Sequence, residues 1–391
     1  MTPSNSRLRL VSSAYLTLLF YSIASTVSFS GPVMPLYVDS LGITVIGWSV
    51  LVAVQAAGMF LAEWIWGNLS DRADRRLLML VSILAMSVLS PLYTLRTLLP
   101  VFIALQFFNG ILFVAIGPLT RSYVTEAAPE KSIGLYASLW WLFLVLGRVI
   151  GPLLGSYIAQ TWAFEYSFWA TSAISLLMAV FVLVSFPSER SRHQAHKGDM
   201  VGALRRVLSR RSAKLLFLSA ALIFMGRTVT SSFLPLYASQ QIKMSTVDVG
   251  VLFASVSAAQ LVAMPIVGWL ADKFGRSRTT VLGLLATSAL FLLYFFADTS
   301  YLVLVVSIAV GIGFSGSALL LAMIPDVTPS AMQGATIGIY GSFEDLGIIV
   351  GPLLFGFVWS AFGPVYIFAA SAITQLVGAV LVYGSNKTKM V

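Results

Sequence analysis

The sequence predicts an all-α membrane protein, with twelve transmembrane helices arranged as two pseudo-symmetric six-helix bundles. Three observations carry that prediction: a charge-poor composition, twelve apolar runs of spanning length, and an internal repeat offset by 200 residues. Of the 391 residues, 58% are hydrophobic and 10% are charged, and the mean hydropathy is +0.90. A soluble globular protein is about 25% charged. So few charges cannot cover a water-facing surface. A soluble enzyme, a DNA-binding domain and a disordered chain are therefore excluded.

A spanning helix needs roughly 20 apolar residues. Twelve runs qualify: 11–35, 46–69, 77–95, 98–124, 134–160, 166–187, 213–238, 247–270, 279–297, 300–325, 334–360 and 364–384. We number them as spans one to twelve. The first six fall in an N-terminal half, 1–187, and the last six in a C-terminal half, 213–391. Between them, 188–212 is polar and basic and reads as a cytoplasmic linker. The first run follows Arg7 and Arg9, is long enough to span and lacks a clear small-residue cleavage site. It reads as a helix rather than a removable signal.

Orientation follows from the basic residues. With both termini and the linker in the cytoplasm, all but four of the 24 lysines and arginines lie on the cytoplasmic side. Arg96 and Lys243 fall outside, and Arg148 and Arg227 lie within spans. This is the positive-inside pattern, and it places a multi-pass protein in the plasma membrane with cytoplasmic termini. It also accounts for the net charge of +9 without any nucleic acid. The basic linker is suited to anionic lipid headgroups. The chain has no cysteine, hence no disulfide and no thiolate metal site. His193 and His196 sit in the polar linker and read as solvated residues, so no metal site is expected.

The two halves repeat each other. Pro35-Leu36-Tyr37 recurs as Pro235-Leu236-Tyr237. Glu126, Pro129 and Gly134 recur as Asp326, Pro329 and Gly334. Gly151-Pro152-Leu153-Leu154 recurs as Gly351-Pro352-Leu353-Leu354. Gly67-x-Leu69-x-Asp71 recurs, one residue further on, as Gly268-x-Leu270-x-Asp272. Four matches in register mean a duplicated six-helix unit, an arrangement found among secondary transporters.

On these residues the chain resembles the major facilitator superfamily over essentially its whole length. Gly67 to Arg76 resembles that superfamily's signature loop between its second and third helices, and Gly268 to Arg278 resembles the second-half copy. Gly147 to Gly155, with Gly151-Pro152 inside span five, is similar to the motif of the drug:proton antiporter branch. The resemblance implies that Gly67, Asp71, Arg72, Arg75, Glu126, Asp272 and Arg276 form a cytoplasmic latch holding the outward-open state. Ordinary positive-inside anchoring is the plainer alternative. Asp71 is an acceptor able to sit on the positive end of a helix dipole. Arg72, Arg75 and Arg76 can pair with Asp74 and Glu126.

Gly147, Gly151 and Gly155 recur every fourth residue, giving a smooth stripe for close helix approach. Pro152 removes one helix hydrogen bond and permits a bend. Span five is thus the expected conformational helix.

Charges inside spans are costly and are functional candidates by default. At 1.5 Å per residue, Arg148, Arg227 and Asp345 lie about 16–21 Å from the cytoplasmic end, near the midplane. They are the leading substrate candidates. Glu344 falls almost on the glycine stripe of span eleven and reads as a helix contact, and as a second proton candidate beside Asp345. Glu63, one turn before Gly67, anchors the latch or carries a proton, since a carboxyl group in apolar surroundings is a proton site. Gln106 and Asn109 need polar partners in hydrocarbon. With Phe113, Phe233 and Phe314 they are assigned to the cavity wall. Exporters of the resembled branch commonly carry an arginine in span four. Gln106 stands at that place here, so proton coupling is not supported there, and Arg148 is a replacement charge from the neighbouring helix.

The expected function is secondary active transport by alternating access: proton-coupled export of small, partly lipophilic molecules. The runner-up makes Arg148 and Arg227 the ligands of an organic anion, a phosphorylated metabolite or a lysolipid. No phosphate-binding loop and no hydrolytic constellation is present. No enzyme activity and no cofactor are therefore expected; the proton gradient is the energy source. The chain is expected to act as a monomer on a small-molecule substrate.

Overall fold

The computed structural model describes residues 3–70, 73–95, 98–129, 132–187, 207–328 and 333–387. Among these residues there is no strand. Twelve helical segments are long and apolar enough to cross a membrane: Arg9–Ser40, Val45–Ala62, Arg75–Leu95, Leu99–Ala127, Ile133–Thr161, Phe164–Ser185, Arg211–Gln240, Thr246–Phe274, Arg276–Phe296, Ser300–Ala322, Thr336–Phe362 and Tyr366–Asn386. They match the twelve expected runs one for one. Their outer faces carry exposed Leu177, Val184, Val262, Leu282 and Phe296. Apolar side chains in such numbers are stable only against lipid.

By packing, the chain forms two compact units. One is built from Met1–Ile43, Val54–Ala195 and Ser245–Ala254; the other from Thr44–Ala53, His196–Met244 and Ser255–Val391. The N-terminal stretch of span two thus groups with the second unit, and that of span eight with the first.

The first unit encloses an apolar core around Leu18, Met79, Ile83, Leu119, Val124 and Val182. Hydroxyl groups stitch its helices together, as polar groups in hydrocarbon must. Ser22 Oγ donates to the Leu144 carbonyl at 2.6 Å and Thr26 Oγ1 to the Gly147 carbonyl at 3.1 Å, joining spans one and five. Ser28 Oγ and Thr171 Oγ1 lie 2.7 Å apart, joining spans one and six. The span-five glycines make this seam possible. A Cβ on Gly147 would overlap Ser22, on Gly151 it would overlap Thr26, and on Gly155 the backbone of Val27.

The second unit repeats the plan. Gly347 packs on the backbone of Ala221, and Gly351 on Met225 and Thr228. Span twelve is tied to span seven by Ser371 Oγ donating to the Gly226 carbonyl at 2.9 Å and Gln375 Nε2 to the Ile223 carbonyl at 3.2 Å. Span seven contains a π-helical turn, Val229–Phe233. Such a turn disturbs the regular hydrogen-bond ladder. Here the Ser232 carbonyl accepts from the Trp48 indole Nε1 at 2.8 Å.

Candidate functional site

In the first unit the midplane charge is Arg148. Its place follows from Gly147, which seats span five directly on Ser22 of span one. The next residue therefore emerges at the seam, half-buried, where the ionisable group it meets is Tyr21. The Tyr21 hydroxyl donates to the Phe113 carbonyl at 2.7 Å, and the two rings lie 4.8 Å apart. Spans one, four and five thus bring together Arg148, Tyr21 and Phe113. Among the described residues, no carboxylate lies within ion-pair distance of Arg148.

In the second unit Arg227 lies between two rings. Its guanidinium carbon is 5.8 Å from the ring centre of Phe224 and 5.8 Å from that of Phe314. Aromatic faces attract a cation, more so when it is desolvated. On span eleven, Tyr340 and Glu344 are four residues apart and share one helix face. Tyr340 lies in the fields of both Glu344 and Arg227. Spans seven, ten and eleven therefore gather a guanidinium, two rings, a phenol and a carboxylate. Asp345, the next residue, is half-buried.

Three expected cavity residues are used differently. Gln106 and Asn109 are 1% and 4% exposed. Both engage Tyr93 of span three, whose hydroxyl donates to Gln106 Oε1 at 3.4 Å. A Cβ on Gly110 would overlap the backbone of Gln55, so this stretch of span four sits at a tight crossing with span two. Both amides are thus turned toward Tyr93, while Asn109 Oδ1 is buried with no hydrogen-bond partner among the described residues. Phe233 is fully buried in the π turn, 6.4 Å from the Phe355 ring and 6.2 Å from Trp359. It is a core residue.

The signature loop is partly visible. Asp74 caps span three by accepting from the Arg76 amide at 2.8 Å. Arg75 pairs with Glu126 at 2.8 Å, joining the start of span three to the end of span four. In the second copy Arg276 donates instead to the Ala322 carbonyl at 2.8 Å, and Asp272 is exposed. Asp71 and Arg72 lie outside the described residues, as does the side chain of Glu63; Gly67 falls within the helix Val45–Ser70.

The sequence reading missed Tyr21, Phe224 and Tyr340. Tyr340 had a usable signal, its spacing of one turn from Glu344. Tyr21 and Phe224 had none, being aromatic residues in apolar runs.

Comparison with known proteins places this geometry in context. The profile of the Major Facilitator Superfamily matches residues 15–214 and 216–389. The chain belongs to that superfamily. It is therefore a multi-pass membrane transporter, and the family implies a small-molecule substrate. Among similar chains, the multidrug resistance protein MdtG of Serratia proteamaculans is 27% identical over 367 residues, covering 89% of this chain and 87% of that one. An MFS-type transporter of Methanocaldococcus jannaschii is 21% identical, covering 91% and 93%. Among solved structures, a bacterial homologue of the human lysosomal transporter Spinster superposes with a TM-score of 0.82 at 14% identity, covering 99% and 98%. A D-xylose-proton symporter gives 0.77 at 15% identity, covering 96% and 97%. Those two likenesses bear on the fold alone.

Proposed function

We propose that this transporter is a proton-coupled exporter of small, partly lipophilic molecules that works by alternating access. The likeness to multidrug resistance proteins supports the cargo class. The observation that supports the coupling is the Glu344 carboxylate, one turn from Tyr340 on a membrane-spanning helix, with Arg227 in reach of the same phenol. A carboxylate there changes its protonation only at high electrostatic cost or gain. A proton arriving on Glu344 neutralises it and removes its field at the Tyr340 hydroxyl. The field at Arg227 and the nearby rings then changes. Cargo binding and protonation are thus linked through the protein's electrostatics. Asp345 supplies a second carboxyl at the next position.

The test is proton movement in proteoliposomes loaded with the pH dye pyranine. Adding naphthalene-derived substrates outside wild-type vesicles should move protons across the membrane. Glu344→Gln should abolish the signal with an unchanged thermal midpoint, and Asp345→Asn should weaken it. Coupled proton movement that survives in both variants would refute the coupling site.

A further inference from the structure

We propose that Arg148 is an anion subsite, so that the preferred cargo is an amphiphilic organic acid whose carboxylate or sulfonate docks on this guanidinium. This deepens the exporter reading above and rests on it.

The basis is a difference between the halves. Arg227 is flanked by Phe224, Phe314 and the Tyr340–Glu344 pair, so its charge already has neighbours that answer it. Arg148 has no such set. Its ionisable neighbour is Tyr21, whose hydroxyl proton is already given to the Phe113 carbonyl. Among the described residues no carboxylate reaches it. A guanidinium carries five N–H donors in a planar fork that matches a carboxylate or sulfonate. In hydrocarbon, so charged a group is retained where it faces the bundle interior or a water-filled path. Arg148 keeps part of its surface exposed. Gly147 seats span five closely on Ser22, which sets where Arg148 leaves the helix.

The surroundings suit the rest of such a molecule. Tyr21 stands beside the charge, Phe113 packs on Tyr21, and Phe143 and Leu144 are partly buried on the same core. An aromatic or aliphatic body can lie on this wall while the acid group meets the guanidinium. A permanently cationic molecule would meet repulsion at the same spot. The chemistry therefore points away from lipophilic cations and toward lipophilic acids.

Three probes of one skeleton test this by titration calorimetry in a nonionic detergent: naphthaleneacetate, naphthylethanol and naphthylethylammonium. The wild-type protein should hold the anion about tenfold or more above the alcohol, and the cation weakest. Arg148→Gln should bring the anion to within about twofold of the alcohol and leave alcohol binding unchanged. Arg148→Lys should keep part of the preference, because it keeps the charge but loses the fork. Equal binding of all three probes, binding of none, or an anion preference that survives Arg148→Gln would overturn the proposal. Proton flux elicited equally by all three probes would overturn it while upholding the exporter reading. Anion preference without any proton flux would sink the exporter reading and leave the subsite standing.

Discussion

Tyr294 stacks on Phe368 with ring centres 3.9 Å apart and planes 7° from parallel. The first half holds the counterpart: Tyr93 on Phe168, 5.6 Å apart and 10° from parallel. Each stack meets the tyrosine of a Pro-Leu-Tyr element, with Tyr237 4.9 Å from Phe368 and Tyr37 5.1 Å from Phe168. Each also follows a long helix that ends in a tight 3-10 turn, Tyr93–Leu95 or Leu293–Phe296. The duplication therefore extends from backbone motifs to buried side-chain clusters.

The stack gives the first prediction. Phe368→Ala removes the ring and should cost about 2–3 kcal/mol, the lower part of the core-truncation range. Helix packing in lipid gains little from the hydrophobic effect, which sets that lower figure. Tyr294→Phe keeps the ring and loses only the 2.7 Å bond to Ser307, worth about 0.6 kcal/mol. Thermal unfolding of the two purified variants checks the ratio; equal losses would remove the stack as the source.

Glycine substitutions should divide by position. Nothing lies within 4 Å of a Cβ built on Gly134 or Gly338. Alanine there should be neutral, or stabilising by up to about 1 kcal/mol through helix propensity. Alanine at Gly147 or Gly347 meets the neighbouring helix and should destabilise by about 1–3 kcal/mol. Thermal midpoints of the four variants decide the matter.

The Arg75–Glu126 pair should contribute modestly. Arg75 is 13% exposed but Glu126 is 48% exposed, so solvent screens the interaction. A double-mutant cycle with Arg75→Gln and Glu126→Gln should give about 0.2–1 kcal/mol of coupling, less in high salt. Coupling that is absent at low salt would show that the contact carries no stability.

Trp48→Phe keeps an aromatic ring but removes the donor to the Ser232 carbonyl. The expected loss is about 0.6–1.7 kcal/mol. Because the acceptor belongs to the π turn, hydrogen exchange at Val229–Phe233 should also quicken in this variant. Unchanged exchange there would separate the indole from the turn.

Much of the architecture was legible in the residues alone. Twelve runs and a repeat offset were enough for the spans and the duplicated halves, because hydrocarbon admits only long apolar helices. The glycine stripe of span five was legible too, since a spacing of four places small residues on one helix face. Polar partners were not legible. Gln106 and Asn109 read as cavity amides because nothing in the chain order links them to Tyr93. Glu344 read as a packing residue from its angle on span eleven; its field at Tyr340, shared with that of Arg227, depends on helix rotation and on the crossing of span seven.

Composition, spacing and charge bias thus specify a duplicated twelve-helix membrane protein with its basic residues gathered between spans, since each is a one-dimensional property set by the bilayer. Which aromatic and ionisable side chains come to surround each guanidinium was settled by folding. In a medium without water, a buried polar group must take whatever partner the crossing helices bring to it. That is why Arg227 and Arg148, similar in the chain, differ in the folded protein.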